Sequence, residues 1–591
     1  MVFGKHINKY YIKYGLWLLL GIVALVAVDY FSLLIPELYR MVINGVKNGE
    51  VATANGVVPF TLDFVFTNIC VPMFIVVVAM VAGRFLWRIC FFGSAIKVER
   101  DLRRSMFDHA KNLSVSYYQR NKVGNLMALF TNDIETVQDC FGSGVLMAAD
   151  AILLGSMCLY KMFMMDVWLT LLSLIPVGLM FAVGVVVGHY MEAKWDERQK
   201  AFSDLSDFAQ ESFSGIAVVK AFVKEFKELS AFKRLNKNNE KANVDFVKAS
   251  ALLNTLVTLF VESVVCIIIG YGGYLVYKGK FDAGELMEFI GYFTSIIWPV
   301  MSVTELIEMG SRGRASLKRI GEMLDASSEV ADKPTATDVD GVQGTIEFRN
   351  LTFRYPAGDY DALSDVSFTV NAGERVGIVG KTGSGKTTVA DLLLRCYNVP
   401  DGTLFVDGRD VNDITIASLR KFCAYVPQDN FLFSDTIANN ISFASDNDDR
   451  ALVKRAAELS DVDDNITEFA DGYDTVLGER GVTVSGGQKQ RISIARALMK
   501  DASILVLDDS VSAVDTDTER VILDNLKQTR KGKTTILIAH RVSTVQGLDK
   551  IVYLDNGKVL DVGTHEELLA RSAEYRKMVE LQKLDAEEDN A

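Results

Sequence analysis

At 591 residues the chain is too long for one core, and its net charge of −13 argues against a nucleic-acid binder, which presents a basic face. Seven cysteines stand singly, at Cys70, Cys90, Cys140, Cys158, Cys266, Cys396 and Cys423. With no CxxC or His/Cys cluster, neither a zinc site nor a secreted disulfide framework is expected. Apolar residues are 49% of the chain but unevenly spread: long runs fill the first half, and the second reads as a soluble α/β protein.

A helix crossing a bilayer needs about 20 mainly apolar residues. Six stretches qualify, near 16–43, 66–92, 143–164, 167–190, 252–277 and 284–307. The first is too long for a signal peptide and lacks a small-residue cleavage site. Little more than MMDVW separates the third from the fourth, which predicts a tight helical hairpin. The second and fourth are followed by charged, helix-forming text such as KVERDLRRSMFDHAKNL and KEFKELSAFKRLNKNNEKANVDF. These connections predict helices that run on out of the bilayer. Lys5, Lys9 and Lys13 precede the first span, and Arg100, Arg103, Arg104 and Lys111 follow the second. By the positive-inside rule, both chain ends and both long connections are cytoplasmic.

Asp29, Arg84, Glu262, Glu305 and Glu308 fall within these spans, where each needs a wet cavity or a partner. Asp29 and Glu262, near mid-span, are candidates for contact with a cationic solute; a structural pair or a water-facing wall is the alternative. Trp298-Pro299 is expected to kink the last span, because proline removes a backbone hydrogen bond.

The predicted division is a transmembrane domain over 1–325, a polar linker over 326–343, a nucleotide-binding domain over 344–582 and a solvated acidic tail over 583–591. In the third part GKTGSGKT, Gly380 to Thr387, follows the strand text ERVGIVG and opens an amphipathic helix. That pattern cradles phosphates: Gly380, Lys381, Thr382, Gly383, Ser384, Gly385 and Thr388 frame the anion at a helix N-terminus. Lys386 is expected to reach the β- and γ-phosphates, and Thr387 to bind Mg²⁺. Downstream, the apolar strand ILVL runs into Asp508 and Asp509. Asp508 stands where a magnesium-binding acid is needed, and the next position is where a water must be aimed.

VSGGQKQR, Val484 to Arg491, resembles the signature of ATP-binding cassette (ABC) proteins, and the rest of that family's motifs follow in order. Tyr355 in FRYP matches the aromatic that stacks on adenine, and Gln428 in VPQD the glutamine that senses Mg²⁺ and γ-phosphate. TVLGERG, Thr475 to Gly481, is similar to the segment preceding the signature in exporters. SAVD, Ser512 to Asp515, matches the segment crossing the dimer interface, and His540 in IAHR the histidine contacting γ-phosphate. The resemblance covers essentially the whole chain and implies an exporter half-transporter: a six-helix all-α membrane domain with long cytoplasmic extensions, then a P-loop ATPase. It also implies coupling helices near Gly124–Phe130 and Glu211–Phe222. Ser485, Gly486, Gly487 and Gln488 would then complete the ATP site of a second half-transporter, so the chain must pair.

The family usually places glutamate where this chain has Asp509. A carboxylate withdrawn by one methylene sits roughly 1 Å or more from its place, which can cost on the order of 100-fold in rate. Either Asp509 works through a shifted water as a weaker base, or the chain is the impaired half of a heterodimer. The latter resembles bacterial heterodimeric multidrug exporters, whose other half carries the glutamate and a degenerate signature. The expected activity is ATP-driven export of hydrophobic or amphipathic compounds across a bacterial cell membrane. The alternatives are a lipid or peptide exporter, or an ATP-gated regulatory or channel-like subunit.

Overall fold

The computed structural model describes residues 4–53, 56–356, 358–445, 447–478, 481 and 484–588. Its contacts divide the chain into two units, Met1–Phe107 with Met127–Leu324, and Asp108–Leu126 with Asp325–Ala591.

The first unit is built from long helices: α1 (Gly15–Asn48), α2 (Val71–Ala110), whose end passes into the second unit, α4 (Ile134–Met165), α5 (Val167–Ser214), α7 (Glu225–Tyr277) and α8 (Ala283–Asp325). At 1.5 Å per residue the 53 residues of α7 reach about 80 Å, far beyond a hydrocarbon core of about 30 Å. The charged text after the second and fourth predicted spans thus carries their helices on, to Ala110 in α2 and Ser214 in α5. Five helices among the described residues are long and apolar enough to cross a membrane. The fourth predicted span opens α5, with a shorter apolar stretch at Val167–Met180.

Buried Phe289, Tyr292 and Phe293 of α8 form a core with Leu33, Met162, Val264 and Ile268. The close approach of α8 to α1 needs Gly291, where a Cβ would stand 2.8 Å from the Pro36 ring. Along their polar reaches α5 and α7 pack together, with Trp195 edge-on to Phe246 at 5.4 Å and Arg198 over both rings. Helix α8 continues through Pro299 to Asp325, and Trp298 donates its indole N–H to Asp150 at 2.7 Å. Asp29 is 4% exposed and one of its carboxylate oxygens has no hydrogen-bond partner, whereas Arg84, Glu262, Glu305 and Glu308 are exposed.

In the second unit, strands β3 (Arg375–Val379), β6 (Cys423–Val426), β7 (Ile504–Asp508), β8 (Thr534–Ala539), β9 (Lys550–Asp555) and β10 (Lys558–Gly563) form one sheet, in the order β10-β9-β3-β8-β7-β6. It is parallel except for β10. Every residue of β7 and β8 is buried, so their near-continuous apolar text is that of a sheet covered on both faces. A second, antiparallel sheet runs in the order β2-β1-β4-β5, from β1 (Ile346–Phe353), β2 (Leu363–Val370), β4 (Leu404–Val406) and β5 (Arg409–Asp410).

Within the second unit, residues 326–343 lie along the ATPase fold. Asn398 donates to the Glu329 carbonyl at 2.6 Å, and the Ile416 N–H donates to Asp332 at 2.7 Å. Fully buried Arg395 donates to the carbonyls of Ala331, Val411 and Ile414. Helix α3 (Val115–Arg120) belongs to the same unit: Gln119 accepts from the Tyr397 hydroxyl at 2.6 Å, and Ser116 and Arg120 bind Glu329. Arg395→Leu strands the buried carbonyls of Val411 and Ile414 and lowers the stability of this unit by about 3 kcal/mol. Thermal unfolding of the full chain reads it as a downward shift of the ATPase transition; an unmoved transition would mean that the segment is held without Arg395.

Candidate functional site

The phosphate loop joins buried β3 to α9 (Lys386–Leu393). Gly380 has no room for a side chain, since a Cβ there would collide with the Leu554 carbonyl. Gly385 combines φ +95° with a Cβ position 2.6 Å from the Ala362 carbonyl, so only glycine suits it. At Gly383, φ is +80° and no atom lies within 4 Å of the Cβ position, leaving the loop open on that side.

Lys386 is 5% exposed, and its ammonium donates to the carbonyls of Gly380 at 2.8 Å and Lys381 at 2.9 Å. Burial holds it below the usual lysine range, against the pull of Asp509 and Asp508. Asp508, at 1% exposed, is raised above the usual carboxylate range by burial, with the Thr387 hydroxyl opposing. One Asp508 oxygen and the Ser384 hydroxyl are buried without a hydrogen-bond partner. An orphaned carboxylate oxygen beside a phosphate loop fits a divalent cation coordinated with phosphate.

These groups border a cleft of about 570 Å³ lined by Tyr355, Thr382, Gly383, Ser384, Gly385, Lys386, Thr387, Thr388, Gln428, Asp508 and His540. The motifs read from sequence as adenine, phosphate and magnesium contacts thus meet in one place. Tyr355 is half-buried, donating to or accepting from Thr388 at 2.9 Å and standing edge-on to Tyr397. Sequence reading missed two parts of this wall. Tyr360, 76% exposed, offers a second aromatic face. Asn556-Gly557, both at positive φ, make the β9–β10 turn, and the Gly557 N–H donates to the Ser384 carbonyl. The DNGK text was the available signal for that turn.

The other predicted residues stand outside the cleft. Ser485 caps α10 (Gly486–Met499) in a reciprocal capping box with Gln488, leaving exposed Ser485 and Gly486 and half-buried Gly487 at its N-terminus. Glu479 and Arg480 of TVLGERG lie outside the described residues. Asp515 caps α11 (Thr516–Thr529) by accepting from the Thr518 N–H. Asp509 follows β7 at φ +47°, its N–H on the Ile538 carbonyl and its own carbonyl accepting from Gln490 and Ser512.

A helical membrane unit fused ahead of an α/β phosphate-loop ATPase, with the signature exposed at the N-terminus of a separate helix, defines the class of ATP-binding cassette transporters. The models of the ABC transporter transmembrane region and of the ABC transporter ATPase match residues 18–300 and 363–512. The chain belongs to the ABC exporters, with an N-terminal transmembrane domain and a C-terminal ATPase domain that couples ATP hydrolysis to transport. It is 36% identical to YheI of Bacillus subtilis, named as a probable multidrug resistance ABC transporter ATP-binding/permease protein, over 99% of both chains. It is 34% identical to the multidrug resistance-like ATP-binding protein MdlA of Escherichia coli, over 97% of this chain and 95% of that one. A solved bacterial Atm1-family ABC exporter with ATP bound matches 98% of this chain and all of that one, at 27% identity and a TM-score of 0.76.

Proposed function

We propose that the chain exports hydrophobic or amphipathic compounds across a bacterial cell membrane as the hydrolytically impaired half of a heterodimer, crossing six times with both ends cytoplasmic. The observation that carries this reading is Asp509 in the water-aiming position beside an intact signature. Lys386 binds the β- and γ-phosphates, Tyr355 stacks on adenine with Tyr360 beside it, and His540 contacts the γ-phosphate. Thr387, Gln428 and Asp508 would hold Mg²⁺, which would neutralise charge on the phosphates. The exposed signature, with Asp515 next to it, serves the partner's site. Multidrug names among the relatives support the substrate class; one relative, 34% identical, is named an ATP-dependent lipid A-core flippase, which keeps a lipid substrate as the second reading.

ATP-dependent uptake of a fluorescent cationic dye into inverted vesicles holding this chain with its partner tests the reading. Uptake against a gradient is expected; flow only down the gradient would leave a channel-like subunit.

A partner chain is also supported by the turn between α5 and α7, around α6 (Ile216–Ala221), where no residue of α6 is buried. Phe213, Phe222 and Phe226 are 74%, 68% and 81% exposed, and Val223 sits at φ +53°. Aromatic rings of this size each bury some 150–250 Å² when covered, so a bare cluster on a cytoplasmic tip marks a docking surface. Phe222→Asp is expected to cut dye uptake by the pair roughly 10-fold while ATP binding persists. Unchanged uptake would mean that the tip does not carry the coupling.

A further inference from the structure

Helix α13 (Ala573–Glu588), the last among the described residues, is anchored in the ATPase core. Tyr575 is fully buried with its hydroxyl 2.9 Å from His565 Nδ1, and Val579 is 7% exposed. One turn beyond Val579, Gln582 reaches the loop between β8 and the short helix α12 (Val542–Val545), the loop that carries His540. Its carboxamide Nε2 donates to the His540 carbonyl at 2.7 Å, and its Oε1 accepts from the Val542 N–H at 2.8 Å.

The Val542 N–H is one of the donors that a helix start leaves unpaired, and Arg541, at the cap position, makes no side-chain cap. Gln582 supplies that cap from another element. The two bonds also demand opposite ends of one group, a donor for the carbonyl and an acceptor for the N–H. Among side chains of this length only an amide provides both. The backbone immediately after His540, on either side of Arg541, is thereby tied to a helix packed into the core, while His540 itself borders the cleft.

We infer that Gln582 is a positioning residue for His540, fixing the histidine loop against the γ-phosphate end of the site. The inference rests on the assignment of His540 to that end. Placement errors of about 1 Å in catalytic groups cost up to about 100-fold in rate, so freeing the loop should be felt in turnover rather than in ATP affinity.

The test uses the full chain in lipid nanodiscs, with single-turnover hydrolysis, which resolves a slow site, and equilibrium ATP binding. Gln582→Leu is expected to slow single turnover roughly 10-fold and to leave the ATP dissociation constant unchanged. Gln582→Glu, which keeps the acceptor for Val542 but loses the donor for His540, should fall between Leu and wild type. In a His540→Ala background, Gln582→Leu should cost nothing more. A full additional loss in that background, a rate equal to wild type, or a fall in rate matched by weaker ATP binding would each overturn the inference. If His540→Ala alone changes neither rate nor affinity, the assignment of His540 falls and the inference with it.

Discussion

Asp509→Glu raises the rate of ATP hydrolysis by the purified chain on the order of 100-fold. The backbone at this position is held independently of the side chain, by the Asp509 N–H on Ile538 and by Gln490 and Ser512 on its carbonyl. The added methylene therefore moves the carboxylate forward without moving the turn. The same backbone is at φ +47°, a region that aspartate occupies more readily than glutamate. The variant should accordingly lose about 1 kcal/mol of stability while gaining rate. That opposite movement separates a repaired base from a generally better-folded enzyme. A robust wild-type rate left unchanged by Asp509→Glu would sink the impaired-site reading and favour hydrolysis through a shifted water.

Lys386→Ala weakens ATP binding to the chain by roughly 100-fold, the effect of losing about 3 kcal/mol from a buried charge and its partners. The ammonium is held in place by the loop's own carbonyls, at Gly380 and Lys381, so it is already aimed before any nucleotide arrives. Its removal also leaves Asp508 and Asp509 without the cation that offsets them. Lys386→Arg should not restore binding, because a planar guanidinium does not fit where the ammonium is enclosed. Equilibrium binding of labelled ATP to the full chain reads the loss; affinity within the wild-type range would mean that the phosphates sit elsewhere. In the pair, the same variant should slow transport without abolishing it, since the partner's site keeps its own lysine.

What was legible in the sequence was local. The phosphate loop, the strand ending in Asp508 and the uninterrupted helices each write their pattern into consecutive residues, through glycine spacing, apolar runs and helix-forming charge. What was not legible depended on single side chains meeting across long separations. Gln119 on Tyr397, Arg395 on the segment near Ala331 and Gln582 on the His540 loop leave no periodic trace. For this reason the polar text of 326–343 does not announce that several of its backbone groups are partnered by the ATPase fold. The contacts of α3 were hidden for a similar cause, since VSYYQR carries no motif and only burial of Ser116 betrays its role. Among the ionisable residues of the spans, Asp29 and Glu262 looked alike in sequence; the fold buries the first and exposes the second.

The most direct measurement is steady-state ATPase activity of the chain co-purified with its partner half-transporter, with the acid after each magnesium aspartate neutralised in turn. Asp509→Asn in this chain should leave most of the activity, and the matching glutamate-to-glutamine change in the partner should remove it. Loss of activity on Asp509→Asn equal to that from the partner's change, or a purified chain that hydrolyses ATP at the full rate without a partner, would contradict the proposed division of labour.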